Sequence, residues 1–112
     1  MINKPNRQLP VLVRQICLLF DAYIVGSGAK FISGDTDQNN DWDIIIDPSR
    51  FEKFMLFMCD KNFRLNSWGG FKIMDGDIEV DVWPQTLESY IGSPKSSSKI
   101  YRPIGGKLIT IE

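Results

Sequence analysis

The segment Asp41-Trp42-Asp43-Ile44-Ile45-Ile46-Asp47-Pro48 constrains this chain more than any other. Three consecutive isoleucines put β-branched side chains on both faces of one strand, so that strand is expected to be covered on both sides. Asp47-Pro48 then reads as a helix start: Asp47 caps, and Pro48 occupies a first turn where its missing N–H costs nothing. The two aspartates ahead of the isoleucines are i and i+2. On a strand both project from one face, with Cα atoms roughly 6.5–7 Å apart.

Around this strand the pattern predicts alternating elements. Leu9, Leu12, Val13, Ile16, Leu19, Phe20 and Tyr23 recur at helical spacing, with Pro10 in the first turn. Ala22 to Val25 reads as a short buried strand running into a Gly26-Ser27-Gly28 turn, with a brief helix from Ala29 to Ile32 and a polar loop from Gly34 to Asn40. After Asp47-Pro48, Phe51, Phe54, Met55 and Met58 form the core stripe of a helix ending near Lys61-Asn62. Phe63 to Trp68, Phe71 to Met74 and Ile78 to Trp83 read as an antiparallel meander that turns at Gly69-Gly70 and Asp75-Gly76 and stops at Pro84. A helix from about Thr86 to Ile91, a loop containing Ser96-Ser97-Ser98 and a strand pair turning at Gly105-Gly106 complete the chain.

The acids concentrate on this framework. Five of the ten aspartates lie between Asp35 and Asp47, and Asp75, Asp77, Glu79 and Asp81 fall within seven residues. In Ile78-Glu79-Val80-Asp81-Val82-Trp83 the period of two places Glu79, Asp81 and Trp83 on one face and the apolar residues on the other. A neighbouring strand is thereby able to add a third carboxylate to Asp41 and Asp43. Two like charges at ~4 Å and an effective dielectric of about 20 repel by on the order of 4 kcal/mol, so a gathered cluster needs compensation. Divalent ions supply it, and an all-oxygen donor set points to Mg²⁺ or Mn²⁺ rather than zinc. An acidic pair taken alone is more often a solvated loop or edge, and it gains weight only from its context. The run Asp35, Asp37, Asn39, Asp41 also matches early positions of a calcium loop, but Asn40 and Ile46 stand where that loop needs Gly and Glu.

Composition removes other chemistries. The chain has 112 residues, 13 Lys+Arg, 14 Asp+Glu and no histidine, so Ser/His/Asp and Cys/His catalysis and His-ligated zinc are excluded. A net charge of −1 argues against binding nucleic acid chiefly through a basic surface. The length suits one domain, 1–112, that buries roughly two-thirds of its unfolded surface. Cys17 and Cys59 lie in apolar helical runs, which suggests a reduced, cytoplasmic protein with inert thiols. No apolar run approaches the ~20 residues of a bilayer span, and Met1 to Pro10 lack a signal peptide's apolar stretch. Gly105-Gly106-Lys107 lacks the spacing of a phosphate loop and reads as a hairpin turn. Trp42, Trp68 and Trp83 read as core or strand-pairing residues, with Trp83 also placed to line a site beside Asp81.

A short strand, Gly26-Ser27, a helix, a loop, Asp41-Trp42-Asp43 before three isoleucines, and Asp81 between Val80 and Val82 together resemble the nucleotidyltransferase superfamily of DNA polymerase beta type. The closest likeness is to its minimal single-domain members, over about Ala22 to Trp83. Gly28 and Phe31 depart from the usual pattern, in which a larger, often basic residue and a glycine stand at these positions. The resemblance implies an α+β domain with a mixed sheet flanked by two or three helices. It also implies that Asp41, Asp43 and Asp81 bind Mg²⁺ or Mn²⁺ and carry catalysis, and that Gly26, Ser27 and Lys30 hold donor phosphates. Asp81 would also help to activate an acceptor hydroxyl. The implied activity moves a nucleotidyl group from a nucleoside triphosphate, ATP being the first choice, to a hydroxyl of a protein, RNA or small molecule. Only about thirty residues follow Trp83, so a partner protein, a homodimer or a large acceptor is expected to complete the acceptor surface. The alternative is a non-catalytic protein of the same fold, an antitoxin or inhibitor that acts through a partner.

Overall fold

A computed structural model describes residues 8–59, 63–65, 69–93 and 99–110. Helix α1 (Val11–Phe20) buries Leu12, Val13, Ile16 and Phe20 of the predicted stripe together with Cys17, whereas Leu19, expected in that stripe, is exposed. Pro10 sits one position earlier than expected, as the N-cap, and the helix stops before Tyr23 because Asp21 adopts φ 56. Strand β1 (Tyr23–Val25) leads directly into α2 (Gly26–Ile32). The expected Gly-Ser-Gly turn is compressed into one residue: Gly26 makes the reversal at φ +66, so Ser27 and Gly28 are already helical.

Strand β2 (Asp41–Ile46) and helix α3 (Pro48–Phe57) follow, and the Asp47 carboxylate accepts from the Ser49 backbone N–H at 2.9 Å and from its hydroxyl at 2.7 Å. Of the expected core stripe Phe54 and Met58 are buried and Phe51 packs against them, but Met55 lies on the exposed side of the helix. Helix α3 ends at Phe57, ahead of the expected stop, because the Met58 N–H closes back on the Phe54 and Met55 carbonyls. Next come β3 (Phe63–Leu65), β4 (Phe71–Asp75), β5 (Ile78–Pro84), α4 (Leu87–Ile91), β6 (Lys99–Arg102), a 3₁₀ turn (Ile104–Gly106) and β7 (Lys107–Thr110). Pro84 closes β5 rather than lying beyond it. Lys61-Asn62, Trp68 and Ser96-Ser97-Ser98 lie outside the described residues.

The strands form one mixed sheet in the order β3-β4-β5-β2-β1-β6-β7, with β2 and β5 parallel and the other pairs antiparallel. Trp42, Ile44 and Ile46 face the core built with α1, α2 and α3. Ile45 faces the other way and joins Val25, Tyr90 and Ile100 under α4, the fourth helix. All three isoleucines are fully covered, as their run requires. Strands β4 and β5 bury Phe71, Ile73, Val80 and Val82 on the helical side, which turns Lys72, Glu79 and Asp81 to the face that α4 covers only in part. No helix among the described residues is long and apolar enough to cross a membrane.

Candidate active site

The acids meet because β2 and β5 are neighbours. Asp43 is directly opposite Asp81 and Asp41 is opposite Glu79. Strands in a sheet lie about 4.8 Å apart, so the side chains of each pair share one face at close range. Two further strands extend the row: Lys72 of β4 is paired with Asp81, and Val25 of β1 with Asp43. The chain thus runs Lys72, Asp81, Asp43, Val25 across one face of the sheet, with Gly26 following Val25.

Gly26 approaches this row more closely than another residue type would permit. A Cβ added there would lie 2.9 Å from Asp43 Oδ2, and its φ of +66 already disfavours any side chain. Ser27 is tied to the same strand, its hydroxyl donating to the Asp41 carbonyl at 3.0 Å, while Asn39 Nδ2 donates to that oxygen at 2.6 Å. A cleft of about 460 Å³ opens here, lined by Val25, Gly26, Asp43, Ile45, Trp83, Gln85, Tyr90 and Ser93. Trp83 therefore lines the site, as its shared face with Asp81 suggested. Trp42 is core, its ring edge-on to Phe31 at 5.8 Å.

The electrostatics follow from this crowding. Asp81 is the buried charged residue among those described, at 8% exposure, and its carboxyl is pushed up to about 7. Burial is the main cause, followed by a hydrogen bond to Glu79 and repulsion from Glu79 and Asp43. Glu79 is held below its usual range, first by the hydrogen bond from Asp81 and then by Lys72, whose Nζ lies 3.3 Å from Glu79 Oε2. Asp81 and Glu79 thus compete for a proton, and burial favours the neutral form of Asp81. Asp43 is raised, by burial first and then by the charges of Asp41 and Glu79. The compensation expected from metal ions thus has a second source, a shared proton and the Lys72 ammonium.

Asp41, Asp43 and Asp81 share one face beside Gly26 and Ser27, as the sequence implied. Lys30 does not join them: it lies exposed in the last turn of α2, and its charge acts on Asp35, which Lys99 also holds down through an ion pair. Lys72 is the cation that acts on the acids, and with Glu79 it is what the sequence reading left out of the site. The alternation in Phe71-Lys72-Ile73 already placed Lys72 opposite two core residues; its register with Asp81 lay in no local signal. Asp41 to Ile46 form a strand, which removes the calcium-loop alternative. Cys17 is buried, which drives its thiol up to about 12 and leaves it inert, while Cys59 is exposed.

The donor set suits a hard cation: three aspartates, no nitrogen or sulfur ligand, and a glycine where a Cβ would crowd Asp43 Oδ2. Among the described residues no three acids are yet gathered around one point, and the Asp81 carboxyl is turned to Glu79.

No protein-family model matches the chain, and no curated protein matches it. Solved structures do. A CCA-adding enzyme in complex with ATP superposes with a TM-score of 0.61 at 14% identity, over 89% of this chain and 29% of that one. A tRNA nucleotidyltransferase complexed with a primer tRNA and an incoming ATP analog gives 0.55 at 17% identity, over 88% of this chain and 34% of that one. The chain spans about a third of these proteins. Its fold is nucleotidyltransferase-like.

Proposed function

We propose that this chain is a Mg²⁺- or Mn²⁺-dependent nucleotidyltransferase that transfers a nucleotidyl group from a nucleoside triphosphate, ATP in the first instance, to a hydroxyl acceptor and releases pyrophosphate. The observation that carries this reading is the pairing of Asp43 with Asp81 on adjacent parallel strands, directly beside the close approach of Gly26. Asp41, Asp43 and Asp81 are the residues that would hold the metal. Bound there, the ions would neutralise the acids and the donor phosphates and clamp the attacking and leaving oxygens.

Each residue has a defined task in this reading. Gly26 lets a phosphate approach the backbone beside Asp43. The Ser27 hydroxyl has one proton, now given to the Asp41 carbonyl; to donate to a distal phosphate it must rotate away, and Asn39 keeps that carbonyl satisfied when it does. Lys30 neutralises phosphate charge after leaving the neighbourhood of Asp35. Ionised Asp81 accepts the proton of the attacking hydroxyl, and Lys72 limits the charge that develops around it. Trp83 and Tyr90 offer aromatic surface to the donor along the cleft.

Incubation with α-labelled ATP, Mn²⁺ and a cell extract should transfer label to an acceptor, and Asp41→Ala or Asp43→Asn should reduce transfer at least 100-fold. Transfer that survives both substitutions would overturn the assignment. The Asp81–Glu79 hydrogen bond and the Lys72 pair favour one second reading, since they stabilise the acids without metal. In that reading the chain is a non-catalytic protein of this fold, antitoxin or inhibitor in type, and it acts by binding a partner protein. It predicts no ATP binding with or without Mg²⁺.

A further inference from the structure

The acid row has a second neighbour besides the Gly26 cleft. On its β3–β4 side lies a separate cleft of about 310 Å³, lined by Phe63, Arg64, Lys72, Met74 and Glu79. Arg64 and Lys72 stand directly opposite each other on the antiparallel strands, an arrangement in which like charges repel. Glu79 balances one of them through its pair with Lys72. Among the described residues Arg64 has no ion pair. Met74, 55% exposed, supplies apolar surface beside the two cations, while the Phe63 ring turns to the other face of the sheet and stacks on Phe71 at 4.5 Å, so Phe63 borders the cleft only at the strand edge. The cleft therefore combines an excess of positive charge with an exposed thioether side chain, and Glu79 connects it to Asp81.

Its position gives these features a use. In an in-line displacement the attacking oxygen and the leaving group lie on opposite sides of phosphorus. If the leaving phosphates lie at Gly26-Ser27, on the β1 side of the acids, the attacking hydroxyl must arrive from the β4 side, where this cleft opens. We propose that the β3–β4 cleft binds the acceptor, and that the acceptor carries a phosphate group near its reactive hydroxyl. Arg64 and Lys72 hold that phosphate, Met74 covers the adjoining sugar, base or carbon chain, and the hydroxyl points to Asp81. Its oxygen bonds to the α-phosphorus, its proton passes to the Asp81 carboxylate, and the bond from that phosphorus to the bridging oxygen breaks with its electron pair leaving on pyrophosphate. The inference rests on the nucleotidyltransferase reading. A two-cation site is compatible with a chain whose net charge is −1, because it needs no extended basic surface.

A phosphate of this kind occurs at the end of a nucleic acid strand and in small phosphorylated alcohols, so both are tested on the full chain. A fluorescent ten-nucleotide RNA with a free 3′ hydroxyl and, separately, glycerol 3-phosphate are titrated into wild type, Arg64→Glu, Lys72→Met and Lys53→Glu, the last exposed on α3 across the sheet. ATP binding by wild type is measured in parallel. At least one phosphate-bearing probe should bind wild type and Lys53→Glu alike and lose at least tenfold in affinity in Arg64→Glu and Lys72→Met, with an unchanged melting temperature for Arg64→Glu. Tighter binding of the RNA would identify a strand end, and tighter binding of glycerol 3-phosphate a small acceptor. If neither probe binds while ATP does, or if binding ignores Arg64→Glu, the inference is overturned and the nucleotidyltransferase reading stands. If ATP itself does not bind, both fall.

Discussion

Asp43 is the residue on which the local forces converge. It is opposite Asp81, two residues from Asp41, and within 2.9 Å of where a Cβ on Gly26 would lie. Its carboxyl is raised by burial first and by neighbouring negative charge second, so its ionised form is disfavoured in the folded chain. Asp43→Asn keeps the shape and removes the charge. Without metal at pH 7 this substitution should stabilise the protein by about 0.5–1 kcal/mol, a gain of a few degrees in melting temperature. A variant no more stable than wild type would show that the acids do not repel one another as their register implies. The i, i+2 spacing made the shared face of Asp41 and Asp43 legible in the sequence. Glu79 was equally visible on the face of Asp81, but its proton-sharing role depends on how deeply Asp81 is buried, which no local pattern encodes.

At the scale of elements, the contact between α2 and β2 sets the site. Gly28 departs from the resembled family's usual larger residue, and the structure gives the reason: a Cβ there would lie 2.6 Å from Trp42 Cε3 and 3.0 Å from Ile24 Cγ2. The indole between the two aspartates occupies the space that a side chain on the helix would need. Gly28→Ala should therefore cost about 1–3 kcal/mol through overpacking, read as a lower urea midpoint. Adding Trp42→Leu to that variant should recover part of the loss, since it removes the ring atoms in the way. An alanine variant as stable as wild type would refute this packing. The sequence placed both residues correctly in their elements. That one compensates for the other became legible only once the helix was seen to start at Gly26, one turn ahead of the expected start at Ala29.

For the molecule as a whole, the clustered acids make stability depend on pH in an uncommon direction. Asp81 moves from its ordinary 3.8 to about 7, so in that interval the folded chain holds a proton that the unfolded chain has lost. The resulting stabilisation is fully present below about pH 4 and disappears as pH rises through about 7. Asp43 shifts in the same direction, whereas Glu79, held low, works oppositely and offsets part of the effect. Discounted for solvent screening, metal-free protein should lose about 1–2 kcal/mol between pH 4.5 and 7.5, measurable as a falling urea midpoint. Asp81→Asn should flatten that slope. Millimolar Mg²⁺ should restore stability at pH 7.5 and not at pH 4.5, because only ionised carboxylates bind it. Stability that rises over this interval without metal would contradict the shared-proton arrangement.

The sequence by itself determined the strand of Asp41 to Ile46, the helix start at Asp47-Pro48, the shared face of each acidic pair, and the absence of histidine chemistry. These are set by side-chain period, turn chemistry and composition, all of which act over a few residues. The tertiary structure alone decided that β5 lies beside β2, that Asp43 and Asp81 are in register, and that Lys72 rather than Lys30 is the cation acting on them. Strand order and register depend on which apolar faces can be buried together across dozens of residues, and charges placed that way interact only after the sheet has formed.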